Sequence, residues 1–419
     1  CAGSPQGANA TASLTYADPA GLADTEELSR LCALGGLELI PAETPAAADV
    51  WIVPAQSWRQ YLGEANFRSI PSSLYEGCSF FSAKAGGMTQ VFGHKGQLMA
   101  VPRSLWAGYQ GRETFLFFRK DWATRLGYEG LEGGDLQWQT WIDLMTDFVR
   151  ADPDGDAARN TAGLTLSRDW DALMAVLLDN CGVRDWVLQD GVWVPGLTSE
   201  RAKQAFGWLS QFMREGLLTF EPEATTPEQA LEAFVQGKTG LWAGNDPEAV
   251  EAAWRAAHPE ATGPLIETLS VLALPEGPYG VRFTQGQPES AVLLFTSGVS
   301  DEAVTVALRT MDQFLEARAH TDTSTWPASC RSVRQVRWYD YAWRQPMFTD
   351  YTSDETIQGY TQALEQAASR EWLTLADSAG DPEAGWQQWL TICQGIEGGP
   401  EAVARVAQVA AEWGVQQEE

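Results

Sequence analysis

Three carboxylates alternate within five residues of this chain: Asp152, Asp154 and Asp156, in the run Asp-Pro-Asp-Gly-Asp-Ala-Ala-Arg-Asn-Thr-Ala-Gly-Leu that spans 152–164. Asn160 stands at the ninth position of that run. Hard cations such as Ca²⁺ collect roughly six to eight oxygens, and carboxylates at every second position of a tight loop supply them. Pro153 and Gly155 turn the backbone. The side chains of Asp152, Asp154, Asp156 and Asn160, with the carbonyl of Ala158 between the last two, can then point inward. An EF-hand is excluded, because Ala157 and Gly163 occupy the places where that loop needs a glycine and a bidentate glutamate. The spacing leaves two alternatives: a structural Ca²⁺ site, or an acidic surface turn that binds nothing.

A second set of candidates is aromatic. The chain has 19 tryptophans in 419 residues, more than packing alone usually requires. Tryptophan offers a flat apolar face that suits the C–H faces of sugars, although any single Trp is more often part of a core. Those next to chain breaks or interleaved with charge are the candidates for a binding wall. Trp106 and Tyr109 follow Pro102-Arg103, and Trp170-Asp171 follows Arg168-Asp169. Asn245 and Asp246 end the apolar run that contains Trp242. Trp338, Tyr339, Tyr341 and Trp343 alternate with Arg337, Asp340 and Arg344, a half-exposed texture.

The elements that must position these groups alternate between strands and helices. Asp49–Val53, Gln97–Pro102, Thr114–Phe118, Thr239–Ala243, Thr268–Leu274 and Ser290–Phe295 are short apolar runs expected to be strands. Trp141, Leu144, Met145, Phe148 and Val149 recur at helical spacing, with Thr140 and Asp143 as an approximate capping box. That helix runs straight into the acidic turn, and Gly163-Leu-Thr-Leu then reads as extended. Further helices are expected from Arg119–Trp122, over Gln229–Val235, after Pro247, over Ser300–Glu316, around Trp386–Ile392 and over Pro400–Trp413. The alternation implies α/β lobes. At 419 residues, two lobes are expected rather than one core.

Composition excludes several classes. A formal net charge of −28 argues against nucleic acid and against docking on anionic lipid by charge. No apolar run is long enough to span a bilayer. The six cysteines (Cys1, Cys32, Cys78, Cys181, Cys330 and Cys393) form no local zinc motif, and if Cys1 is modified an odd number remains, so this is not a disulfide scaffold. The three histidines lie far apart, and no GxSxG, HExxH or P-loop occurs. Cys1 followed by small and polar residues to Ser13 is the pattern left when a bacterial lipoprotein signal peptide is removed, so Cys1 is the expected lipid attachment point and 1–13 a tether.

Five stretches, in this order, resemble the family 1 extracellular solute-binding proteins, the lipoprotein receptors of ABC sugar importers with a maltose-binding-protein-like fold. They are Gly96–Arg103, Leu116–Gly127, Gln139 through Asp156, Phe234–Leu241, and the closing segment Trp389–Trp413. Together they cover most of 90–413; the first ninety residues match poorly and look shortened. The resemblance implies an α/β, two-lobe periplasmic-binding-protein-like fold with hinge strands and a ligand cleft between the lobes. Lobe one would be 14–112 plus 276–325, and lobe two 113–275 plus 326–419. It implies binding of a carbohydrate, an oligosaccharide in such a family, by a monomer that is not an enzyme. It also implies delivery to ABC permease subunits, an extracytoplasmic location on the bacterial cell membrane through a lipid anchor, and structural Ca²⁺ in the acidic loop. The family tends to carry an acidic pair where Asn160-Thr161 stands here. The competing expectations are a secreted glycoside hydrolase, which needs two carboxylates roughly 5–10 Å apart, and a glycan-binding surface adhesin.

Overall fold

The computed structural model describes residues 12–23, 25–33, 36–78, 92–102, 115–131, 136–158, 160–167, 177–178, 180–183, 185–219, 226–244, 246–272, 291–321, 348–349, 352–378 and 380–414. Along the chain, the first lobe contains β1 (Ala12–Ala17), β2 (Leu37–Pro41), β3 (Val50–Pro54), a small hairpin of β4 (Gly93–His94) and β5 (Gln97–Leu98), and β6 (Ala100–Pro102). The second contains β7 (Phe115–Arg119), β8 (Ala162–Thr165), a hairpin of β9 (Trp186–Gln189) and β10 (Val192–Pro195), then β11 (Leu218–Thr219), β12 (Thr239–Gly244) and β13 (Leu269–Leu272). Then β14 (Ala291–Phe295) returns to the first sheet. β1 begins at Ala12, so the expected tether gives up its last two residues to a strand. The expected strand Gln97–Pro102 is two strands, because the amide of Met99 turns aside to the Phe92 carbonyl.

The two sheets share one plan. The first runs β2-β1-β3-β14-β6 and the second β11-β8-β12-β7-β13. In each, three strands lie parallel, the fourth place holds an antiparallel strand, and the fifth strand pairs with that one. The antiparallel strand is the one that has just arrived from the other lobe: β14 in the first sheet, β7 in the second. Register fixes where the chain crosses. β6 ends at Pro102, and β7 begins at Phe115 opposite Gly244, the last residue of β12. β13 ends at Leu272, and β14 begins at Ala291 opposite Pro54, the last residue of β3. Both of these strand-to-strand crossings therefore join the carboxyl edge of one sheet to the carboxyl edge of the other, so these edges lie on the cleft side. The central strand β14 is buried on both faces, as its unbroken apolar run requires, and β13, at the edge of the second sheet, has no exposed residue either.

The helix Trp138–Arg150 starts two residues before the expected cap at Thr140, and Gln137 occupies the cap position without a side-chain bond. Packing overrides capping here. Starting early lays Trp138 against Trp141, with centroids 4.9 Å apart, and against Trp208 at 5.8 Å. A full capping box exists elsewhere, where Thr226 and Gln229 bond reciprocally at the head of the helix Pro227–Val235. A layer of helices, Glu200–Arg214, Glu355–Ser378 and Pro382–Gln394, closes the second lobe through Phe206, Trp372, Trp386 and Trp389. The indole N–H of Trp389 donates to the Leu197 carbonyl at 2.8 Å. No helix among the described residues is long and apolar enough to cross a membrane. Cys32, Cys78, Cys181 and Cys393 are free thiols.

Of the 14 described tryptophans none is exposed, so their abundance is mainly packing. Close approach also uses glycine. A Cβ on Gly240 of β12 would lie 2.0 Å from the Phe148 ring of the helix Trp138–Arg150. Gly240→Ala is therefore an overpacking change expected to cost about 1–3 kcal/mol. A lower urea midpoint with an unchanged slope checks it; an unaltered midpoint would show that Phe148 has room to move.

Candidate functional site

Open α/β sheets bind ligands beyond the carboxyl ends of their parallel strands, which here is the edge joined by the crossings. In chain order, Arg103, Trp106 and Tyr109 follow β6, Trp170 and Asp171 follow β8, and Asn245 and Asp246 follow β12. Arg103, Trp106, Tyr109, Trp170, Asp171 and Asn245 lie outside the described residues, as do Trp338, Tyr339, Tyr341, Trp343 and Cys1. Two of the set are described. Trp242 is a correction: it is 6% exposed and packs in the core of the second lobe with Phe117, ring centroids 5.6 Å apart, and with Val250 and Trp254. Its place in the middle of β12, covered by the helices that follow, buries the ring that sequence context put at a wall. Asp246 is exposed and serves as the N-cap of the helix Pro247–Ala257, accepting from the Ala249 amide at 3.0 Å.

Among the described residues, one cavity of about 500 Å³ is lined from both lobes. The first lobe contributes Gln56, Ser57, Arg59 and Gln60, directly after β3, and His94 of the β4–β5 hairpin. The second contributes Thr352, Ser353 and Asp354 ahead of the helix Glu355–Ser378, and Arg405, Glu412 and Trp413 of the last helix, Gly399–Trp413. Asp354 is held from two sides. It accepts the amides of Thr356 at 3.1 Å and Ile357 at 3.2 Å, capping its helix, and both Nε and Nη2 of Arg405 at 2.8 and 2.6 Å. Burial alone would raise its pKa; the Arg405 guanidinium and the two amides outweigh that and hold it below the usual carboxylate value. Arg59 is pushed down to about 9 by burial. His94 is lowered by burial and by the charges of Lys95 and Arg59, which favours the neutral ring. None of these lining residues was singled out from sequence. The available signal was the polar Gln56-Ser57 immediately beyond an apolar strand.

The acidic loop lies at the opposite edge, ahead of the first residue of β8. Asp152 and Ala157 have left-handed φ of 52° and 63°, and Gly155 one of 75°. Asp152 accepts the Ala157 amide through Oδ2 at 3.1 Å, and Asp156 accepts the Ala158 amide at 2.7 Å. Carboxylate oxygens of Asp152, Asp154 and Asp156 all lie within 4.8 Å of one another. Two oxygens on one Ca²⁺ at about 2.4 Å each can be no farther apart than about 4.8 Å, so the set fits. Oδ1 of Asp152 is buried and has no hydrogen-bond partner, a cost that a cation would remove. Asn160 is exposed nearby.

With this geometry established, the chain can be set beside known proteins. No family model matches it. The sugar-binding protein MalE from the phytopathogen Xanthomonas citri superposes over 97% of this chain and 100% of its own, with a TM-score of 0.50 at 13% identity. The fold is that of the two-lobe sugar-binding solute-binding proteins. An extracellular solute-binding protein from Bifidobacterium longum subsp. infantis covers 97% of this chain and 99% of its own at 13% identity and a TM-score of 0.47. In sequence, the polygalacturonan/rhamnogalacturonan-binding protein YtcQ of Bacillus subtilis is 25% identical over 157 residues, 37% of this chain and 30% of that relative.

The Asp354–Arg405 pair yields a pH-dependent prediction. Its folded-state pKa lies below the unfolded value, so its stabilisation is present at neutral pH and is lost as pH falls below about 3.8 through the folded value. Asp354→Asn should cost about 1.5–3 kcal/mol at pH 7. The difference from wild type in chemical melts should shrink as the pH is lowered through that range; a pH-independent difference would show that the loss does not come from the carboxylate's charge, since asparagine still caps the helix.

Proposed function

We propose that this chain is an extracytoplasmic solute-binding protein that captures a carbohydrate, an oligosaccharide, between its lobes and delivers it to the permease of an ABC importer. The observation that supports this most is the interlobe cavity of about 500 Å³. It lies beyond β3 on the side where the crossings join the sheets, and its size suits a small ligand buried from two sides. Gln56, Ser57, Gln60 and the Asp354–Arg405 pair offer donors and acceptors for hydroxyls. Binding between lobes is completed by hinge closure, not by bond cleavage. A thermal-shift screen of maltodextrins, fructans and uronate oligosaccharides tests the reading. One class should stabilise the protein, by about 2.7 kcal/mol at a hundredfold excess over Kd. Stabilisation by none of them overturns it, and release of products from a bound sugar replaces it with the hydrolase.

The acidic loop is proposed as a structural Ca²⁺ site held by Asp152, Asp154 and Asp156, with the Ala158 carbonyl and Asn160 completing the donor set. The ion would lower the cost of three crowded carboxylates and of the left-handed backbone at Asp152, locking the turn between the helix Trp138–Arg150 and β8. Chelator should lower the melting temperature, and Asp154→Ala should abolish that sensitivity. Because the loop precedes β8 and the cleft follows it, sugar affinity should change little. Identical melting curves with and without chelator would leave only an acidic turn.

A further inference from the structure

The lobes of this chain touch at a place other than their crossings. The last helix, Gly399–Trp413, belongs to the second lobe. Its Trp413 ring stacks 4.5 Å from Phe348, its Arg405 holds Asp354, and it packs along β10. Its end, however, rests on the first lobe. The guanidinium carbon of Arg59 lies 3.6 Å from the centroid of the Trp413 ring and 4.3 Å from that of Trp58. Nη2 of the same Arg59 donates to the Gly93 carbonyl at 2.9 Å, fixing the fork to the β4–β5 hairpin.

Beside this stack, backbone meets backbone. Gly414 ends the helix in the left-handed region, φ 67°. A Cβ there would lie 2.8 Å from the Gly96 amide nitrogen and 3.0 Å from Cα of Lys95. Lys95 and Gly96 have φ of 53° and 75°, the signs of a type I′ hairpin turn. The hairpin tip and the helix end are thus in contact without an intervening side chain. Only glycine at 414 permits that approach, and only a planar cation can lie flat against an indole and still bond sideways to a carbonyl.

We propose that the end of the last helix is a clasp: Arg59 stacked on Trp58 and Trp413, with Gly414 seated on the Lys95–Gly96 turn, holds the lobes in the arrangement seen here and thereby sets the affinity of the cleft. A two-lobe receptor binds by selecting one lobe arrangement, so a contact made in that arrangement alone alters affinity through its population without touching ligand. A guanidinium removed from water against aromatic rings is a contact of the right strength to do so. The affinity part of the proposal rests on the carbohydrate-binding reading; the lobe-arrangement part does not.

The test therefore begins without ligand. Small-angle scattering of the full chain is compared for wild type, Arg59→Lys, Arg59→Ala and Gly414→Ala, with circular dichroism and melting curves confirming that each is folded. Arg59→Lys keeps the charge and loses the planar stack; Gly414→Ala wedges the helix off the turn and lines no part of the cavity. The clasp requires Arg59→Ala and Gly414→Ala to shift the radius of gyration and the interlobe distance distribution, with Arg59→Lys shifted in the same direction. Superimposable profiles from the folded variants overturn it. With a sugar found by the screen, Gly414→Ala should change Kd by about tenfold. A shifted profile with unchanged Kd would overturn the affinity part. Failure of wild type to bind any sugar would count against the carbohydrate reading, and scattering would still decide the clasp.

Discussion

The constraint on which this architecture depends is that each sheet takes into its fourth place, antiparallel to its neighbours, the first strand after a crossing. β7 sits between β12 and β13, and β14 between β3 and β6. Each is antiparallel to its neighbours, so each begins at the edge where the parallel strands end. The chain must therefore leave one carboxyl edge and enter the other, twice. The first sheet closes only when β14 returns from the second lobe, whereas the five strands of the second sheet all lie between Phe115 and Leu272. The crossings tie the two edges together at the same time as they complete the cores, and the ligand-binding side of the molecule follows from strand register before any side chain is considered.

That register also separates two chemistries that lie close together in the chain. The acidic loop and the segment beyond β8 are separated by one four-residue strand, β8. A strand places its ends at opposite edges of its sheet. The carboxylates of Asp152, Asp154 and Asp156 are thus directed to the far side of the second lobe, where a cation can brace a turn but cannot meet a ligand in the cleft. Their charge does not need to be reconciled with His94 and the half-buried Arg59 of the interlobe cavity.

Tryptophan is used for two purposes, and context decides which. Trp372, Trp386 and Trp389 knit helix to helix, and Trp242 fills the second core. Trp413 is also buried, but it is buried between lobes, against a cation from the other side. Its burial depends on the lobe arrangement, whereas the burial of Trp389 does not. The same residue type is a packing element within a lobe in one place and part of a contact between lobes in the other.

Apolar runs and helical spacing were enough to locate β3, β7, β12, β14 and the helices after Pro247 and over Gly399–Trp413, because each buries a local pattern that is periodic in the chain itself. The sequence by itself also determined the alternating carboxylates, since a loop's ligands are neighbours along the backbone. It misassigned Trp242, because whether the end of an apolar strand is wall or core depends on what the following helix covers. It placed the cap at Thr140, because the demand of Trp208 and Phe212 for Trp138 comes from a helix some seventy residues later. It was silent on Arg59 and Trp413, whose partnership spans more than 350 residues. Only the tertiary structure decided those points, for one physical reason: contact energies depend on distance in space, and in a fold that crosses between lobes, distance in space bears no fixed relation to distance along the chain.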